Sequence, residues 1–213
     1  MAVFLGLLPV ISLLFTNNRP QSAKIISLYL LGGFITDLLI TPIFSDSVNS
    51  QFVGSKIFTL IEFYFLSIFM YKQLVLKRKY IIFSISTILF SFSILYENLI
   101  SYNNNFDSIS TGVCALSIIV YCMFYLFEKI STPDANYKFD WISISVISFL
   151  IYFSGTFFIY ILSKNNFFNQ DFQSSYILIN AVILIIRNSL LSIGFFSLLK
   201  KTQNIKATVA SIT

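Results

Sequence analysis

The sequence predicts an all-α, polytopic membrane protein: one bundle of about seven transmembrane helices, with the amino terminus outside and the carboxy terminus inside. Three observations predict it. The 213 residues are 56% hydrophobic and only 11% charged, where a soluble domain carries roughly a quarter charged residues. Apolar segments of spanning length follow one another with short links. Basic residues concentrate in alternate links. Because no boundary interrupts this pattern, residues 1–213 form a single predicted domain.

Each segment is expected to be a helix, because backbone polar groups find no partner in hydrocarbon and about 20 helical residues cross it. The predicted spans are residues 1–15, 23–44, 55–76, 80–100, 108–129, 141–163 and 174–199. The first is short, with a rise of about 22 Å, and contains Pro9. A signal peptide is the alternative, but no basic residue precedes the apolar run and no A-x-A-like cleavage site follows it. We therefore interpret the segment as a helix.

Orientation follows from the distribution of Lys and Arg between alternate links. One set of links holds only Lys56 and Lys164, together with several acidic residues. The other set holds Arg19, Lys24, Lys72, Lys77, Arg78, Lys79, Lys129, Lys138, Lys200, Lys201 and Lys206. Basic residues accumulate on the cytoplasmic side, so the second set is predicted to lie inside. The three lysines after the last span are expected to contact anionic membrane lipids.

The composition also excludes several classes of protein. So few charges are incompatible with a soluble enzyme or a nucleic-acid binder. The chain has no histidine, which argues against zinc, haem and histidine-base chemistry. The last span has no lysine to form a retinal Schiff base, and the spans do not supply the paired aspartates of an aspartyl protease. We therefore expect no enzyme activity, no metal site and no cofactor.

Three charged residues lie inside predicted spans: Asp37, Glu62 and Arg187. An ionised side chain in the bilayer costs several kcal/mol, so such residues face the bundle interior and pair or line a wet cavity. Glu62 is the expected partner of Arg187, because the third span can lie beside the seventh in a closed ring. Polar residues at helical spacing, among them Asn180 and Tyr152, point toward the same interior. The candidate ligand- or ion-site residues are Asp37, Glu62, Arg187, Asn180, Tyr152 and Asn188. A purely structural role for these residues stays open.

Residues 61–67 (IEFYFLS), 151–155 (IYFSG) and 192–196 (SIGFF) resemble an uncharacterised family of small bacterial seven-helix integral membrane proteins. Members of that family occur alone or alongside sensor histidine kinases. The resemblance implies a signalling context in the bacterial inner membrane. It carries over no catalytic residue, and it singles out Glu62, Tyr152 and Gly155. The family usually shows Asn-rich character in the last span, whereas this chain has Arg187 beside Asn188.

Two functions remain at this stage. The favoured one is a non-enzymatic sensing or regulatory module, in which a small ligand or lipid reaches the polar interior and shifts helix packing. A partner signalling protein and homo-oligomerisation are compatible with it. The alternative is an oligomeric pore or ion-conducting effector of a bacterial defence or stress system. A pore needs a continuous polar stripe, and residues 65–70 of the third span are almost wholly apolar.

Overall fold

The computed structural model describes residues 20–36, 48–77, 79–100, 108–131, 140–166 and 170–210. These residues form six helices, which confirms the all-α prediction. The helices are α1 (Gln21–Ile35), α2 (Val48–Gln73), α3 (Lys79–Ile100), α4 (Ser108–Ser131), α5 (Trp141–Asn166) and α6 (Gln170–Ala210).

Four of the helices, α3 to α6, are long and apolar enough to cross a membrane, as the sequence predicts for a membrane protein. Their apolar segments are Lys79–Leu99, Ile109–Ser131, Trp141–Ile159 and Ile177–Lys200. Many large apolar side chains on these helices point outward, including Ile88, Phe92 and Leu99 of α3. An outward apolar surface of this kind suits contact with lipid.

The prediction of seven spanning helices is wrong for the part of the chain that the structure describes. Helix α1 has 15 residues and rises about 22 Å, less than the roughly 30 Å of hydrocarbon. Helix α2 has 26 residues, but its segment 56–73 includes the charged residues Lys56, Glu62 and Lys72. The predicted span 1–15 and the second half of the span 23–44 lie outside the described residues.

The described helices pack mainly on their neighbours in the chain. The most extensive contacts join α5 to α6 and α4 to α5, α3 packs on α4, and α2 packs on both α4 and α1. Helices α2 and α3 make few backbone contacts, but the rings of Phe63 and Phe90 stack between them at a centroid distance of 4.0 Å. Aromatic side chains therefore fill the space that the separated backbones leave.

Helices α5 and α6 approach closely at two glycines. A Cβ atom at Gly155 would lie 2.5 Å from Cδ1 of Ile183 on α6. At Gly194, a Cβ atom would lie 3.3 Å from the backbone oxygen of Trp141 on α5. Small residues at these positions let two membrane helices pack at short distance.

Two carboxylates and one lysine cap the ends of three helices. Glu97 accepts hydrogen bonds from the backbone N–H groups of Ile109 and Ser110, at 2.8 Å each, so it caps the first turn of α4. Asp140 accepts one from the backbone N–H of Ser143 at 3.0 Å and caps α5. Lys79 Nζ donates to carbonyl oxygens at the end of α2. These bonds satisfy backbone groups that lack partners within the helix.

Helix α6 is the longest element, with 41 residues from Gln170 to Ala210. Its length is about 62 Å, roughly twice the thickness of the hydrocarbon core. The apolar segment ends at Lys200, and the helical backbone continues for ten more residues to Ala210. One uninterrupted helix therefore joins the bundle interior to the segment that carries Lys201 and Lys206.

Candidate functional site: a buried charge cluster

A carboxylate and a guanidinium are joined inside the bundle by one tyrosine. The Tyr29 hydroxyl on α1 donates to Oε1 of Glu62 on α2 at 2.8 Å. The same hydroxyl accepts a hydrogen bond from Nη1 of Arg187 on α6 at 2.9 Å. All three residues are buried, with exposures of 1%, 4% and 8% for Tyr29, Glu62 and Arg187. The hydroxyl on α1 thus uses its donor and an acceptor site to link a carboxyl group on α2 to a guanidinium on α6.

Two further residues complete the set, which we call the Glu62–Arg187 cluster: Tyr29, Glu62, Tyr152, Arg187 and Asn188. Tyr152 lies on α5 and packs against Arg187. The guanidinium carbon of Arg187 lies 4.4 Å from the centroid of the Tyr152 ring, a cation–π distance. Arg187 Nε also donates to Oδ1 of Asn188 at 3.2 Å. Arg187 therefore contacts residues on α1, on α5 and on its own helix.

Packing around the cluster holds these groups in place. The Tyr29 ring contacts Phe149 of α5 edge-on, at a centroid distance of 6.0 Å. Phe69 of α2 contacts the Phe149 ring in the same way, also at 6.0 Å. Ser148 Oγ donates to the backbone oxygen of Arg187 at 2.9 Å, which links α5 to α6 beside the cluster. With buried aromatic rings on several sides, the charges act on one another through a poorly polarisable medium.

The structure brings together four of the six residues predicted for the site: Glu62, Tyr152, Arg187 and Asn188. Asn180 is half-buried about two turns from Arg187 on α6, and its side chain makes no hydrogen bond to another described residue. Asp37 lies outside the described residues. The sequence analysis expected Glu62 to be the charge partner of Arg187; in the structure the two residues share the Tyr29 hydroxyl as a hydrogen-bond partner.

Tyr29 is the cluster residue that the sequence analysis missed. A signal for it existed in the spacing of α1. Gly33 and Asp37 follow one another at an interval of four, and one interval earlier the same stripe reaches Tyr29. Ala23 and Ile26 on the same side of α1 are fully buried, so this stripe is the inward face of the helix.

The chemistry available to the cluster is that of charge and hydrogen bonding. In the part of the chain that the structure describes, no three His, Cys, Asp or Glu side chains come together as a metal site would require. The tyrosine hydroxyls can exchange partners, and the carboxylate and guanidinium can each bind a polar ligand of opposite charge. The chain matches no protein-family model, no curated protein and no solved structure.

Proposed function

We propose that the chain is a non-enzymatic sensing or regulatory module of the bacterial inner membrane, with the Glu62–Arg187 cluster as its responsive element. The observation that carries the proposal is the position of Arg187 on α6. The residue lies in the buried cluster, and the same helix continues for about 35 Å beyond it to Ala210. A rearrangement around Arg187 would move the whole of α6, whose far end carries basic residues.

The cluster is suited to two alternative arrangements. Its link between α1, α2 and α6 depends on two hydrogen bonds to one hydroxyl. A ligand that binds Glu62 would compete with the hydrogen bond from Tyr29, and a ligand that binds Arg187 would compete with the hydrogen bond to Tyr29. In either case one of the three helices loses its link to the other two. Such a ligand shifts the equilibrium between helix packings to the extent that it binds one packing better. We propose a small polar molecule or a lipid headgroup that enters from the outer side.

The direction of signalling follows from the basic residues. The positive-inside rule assigns the end of α6 to the cytoplasm, where Lys201 and Lys206 would contact anionic lipid or a partner signalling protein. The resemblance to proteins found beside sensor histidine kinases is consistent with such a partner. In this scheme the ligand site and the output site lie on one helix.

A distance measurement tests the coupling. Spin labels are placed at position 77, four residues after the end of α2, and at position 201, just after the apolar segment of α6. Pulsed dipolar spectroscopy in lipid nanodiscs gives their distance distribution. Glu62→Gln should shift this distribution, because the carboxylate that anchors Tyr29 is neutralised. Glu97→Gln is the matched control, since it makes the same chemical change to a buried carboxylate outside the cluster. An unchanged distribution in Glu62→Gln would contradict the sensing proposal.

A flux assay separates the sensing module from the alternative, an oligomeric pore. The purified protein is reconstituted in vesicles loaded with potassium and a pH-sensitive dye, and ion release is followed after dilution. A sensing module should leave release at the level of protein-free vesicles. Release that rises with protein content, and that Arg187→Leu changes, would favour the pore and replace the present proposal.

A further inference from the structure

The link between α2 and α3 is a turn that side chains hold from two sides. Residues 74–77 lie outside both helices. The backbone N–H of Val75 donates a hydrogen bond to Oε2 of Glu128 on α4 at 3.0 Å. From the other side, Lys79 Nζ donates to two backbone oxygens at the end of α2, at 2.9 and 3.0 Å. Because charged side chains satisfy its backbone groups, the turn has a fixed shape.

The turn presents an apolar side chain between two lysines. Val75 is 85% exposed, which is the largest exposed fraction among the large apolar side chains of the described residues. Lys72 in the last turn of α2 and Lys77 after Val75 are both exposed. Tyr71 and Tyr80, on the two flanking helices, are exposed as well. Tyrosine is enriched where hydrocarbon meets the lipid headgroups, and lysine extends its charge toward the headgroups, so this combination is typical of a membrane surface.

A third lysine lies at the same end of the bundle. Gln73 Nε2 at the end of α2 donates to Ser22 Oγ at 2.6 Å, which brings the start of α1 beside the turn. Lys24 follows Ser22 by two residues and is exposed. We call the set of Lys24, Lys72 and Lys77 the basic rim. Three exposed cations at one end of α1 and α2 are complementary to an anionic surface.

We propose that the basic rim binds the headgroups of anionic phospholipids, with Val75 at the boundary between these headgroups and the acyl chains. Lysine binds phosphate as a point charge, so the rim sets the sign of the ligand. The exposed Val75 selects a lipid over a soluble phosphate ion, because a soluble ion makes no contact with an apolar side chain. A link between helices also belongs at the membrane surface, where its backbone meets polar groups. This surface is separate from the Glu62–Arg187 cluster, and the sensing proposal does not depend on it.

A fluorophore on the turn tests which lipid surrounds it. Trp141→Phe removes the one native tryptophan, and Val75→Trp then places a tryptophan on the turn. The full chain is reconstituted in nanodiscs of equal parts phosphatidylcholine and phosphatidylglycerol, with quenching bromine atoms on the acyl chains of one lipid or of the other. Brominated phosphatidylglycerol should quench the fluorescence several-fold more strongly than brominated phosphatidylcholine. Equal quenching would overturn the proposal, and quenching by neither lipid would overturn it in favour of an acidic protein partner in water.

Lysine variants separate a binding surface from attraction by net charge. In the same background, Lys72→Gln with Lys77→Gln should bring quenching by the two lipids close to equality, and both lysines are exposed, so the fold should be kept. Lys56→Gln with Lys164→Gln is the matched control, because it removes the same charge toward the other ends of α2 and α5. The control should keep the preference for phosphatidylglycerol, and equal losses in the two double variants would overturn the proposal. Added inorganic phosphate should leave the quenching unchanged, whereas loss of the preference would assign the lysines to a soluble anion.

Discussion

Tyr29 has a role in the cluster that its residue type alone does not suggest, because one oxygen atom connects both charged groups. The charged groups of Glu62 and Arg187 stand at the ends of long, flexible side chains, and such side chains lose entropy when they are fixed. The rigid Tyr29 ring, held by Phe149, positions the hydroxyl between them. Precise placement of the charges therefore depends on an uncharged side chain.

Removal of the Tyr29 hydroxyl should destabilise the bundle. Tyr29→Phe keeps the ring but deletes a donor to Glu62 and an acceptor for Arg187, and hydrogen bonds to charged groups contribute about 1.5 to 3 kcal/mol. We expect a lower melting midpoint in detergent. The control is Tyr64→Phe on α2, where the tyrosine is 45% exposed. Equal midpoints for the two variants would show that the hydroxyl does not link the charges.

The charge balance of the cluster predicts a second effect on the stability of the bundle. Arg187→Leu should leave the Glu62 carboxylate without its opposite charge, and breaking a buried pair in this way costs about 3 to 5 kcal/mol. Adding Glu62→Gln should recover much of the loss, since no lone charge remains. Arg187→Leu with Asp37→Asn is the comparison and should recover less. If thermal melts show Arg187→Leu to be neutral, Arg187 does not neutralise a buried carboxylate.

The surroundings of Asp140, which precedes α5, predict that the stability of the protein depends on pH. Burial alone would raise its pKa, but hydrogen bonds from Ser143 and the charge of Lys129, 3.6 Å away, outweigh burial and lower the pKa below the usual 3.8. A folded-state pKa below the unfolded value gives stability that is complete above the unfolded pKa and is lost as the pH falls through the folded one.

Asp140→Asn should remove this dependence while it keeps an oxygen that can cap Ser143. We expect the melting midpoint of the unaltered chain to approach that of Asp140→Asn as the pH falls below 4, and to exceed it at neutral pH. Melting curves in detergent at a series of pH values measure both. A constant difference between the two proteins across the series would contradict the assignment.

At the scale of the elements, apolar length predicted some helices well and others poorly. Helices α3 and α4 begin within a residue of the predicted starts at 80 and 108, because charged or polar links separate long apolar runs. Helix α6 runs well beyond the predicted end at 199, whereas only the first part of the predicted span 23–44 lies among the described residues, as α1. Hydropathy detects where a chain is apolar, whereas a helix continues wherever its backbone hydrogen bonds are made, in lipid or in water.

The contact between α5 and α6 predicts an effect specific to one glycine. Gly155→Ala should lower the melting midpoint, because the new Cβ would lie 2.5 Å from Ile183 Cδ1, and overpacking of a tight interface costs about 1 to 3 kcal/mol. Ile183→Val lacks that atom and should rescue much of the loss. Gly112→Ala is the control, since nothing lies within 4 Å of its Cβ. Equal stability of the Gly155 and Gly112 variants would mean that the two helices are not in tight contact.

At the scale of the whole molecule, the distribution of basic residues predicts a topology. Reporter fusions at Asp107 and Gln170 should read as external, and fusions after Lys77 and after Lys201 as cytoplasmic. Paired alkaline phosphatase and fluorescent-protein reporters make the readings complementary. An external signal after Lys77 would reverse the orientation and with it the proposed direction of signalling.

The charged residues of the candidate site could be predicted from the sequence. Glu62 and Arg187 stand out because ionised groups are rare inside spans. Tyr152 lies on a polar stripe of its own helix, and Asn188 stands next to Arg187 in the chain. The Tyr29 bridge was not predicted, since a tyrosine in an apolar segment is an ordinary packing residue until its partners are known.

The bridge from Tyr29 to Arg187 joins two residues that are synthesised far apart in time. The two residues are separated by 158 positions, and Tyr29 and Glu62 emerge from the ribosome long before Arg187. During that interval Glu62 lacks its link to Arg187, while α4 can pack on α2 and α3, and α5 can pack on α4. The contact that α6 makes through Arg187 therefore forms only after the other described helices have been synthesised, and a chain that ended before Arg187 would leave Glu62 without this link.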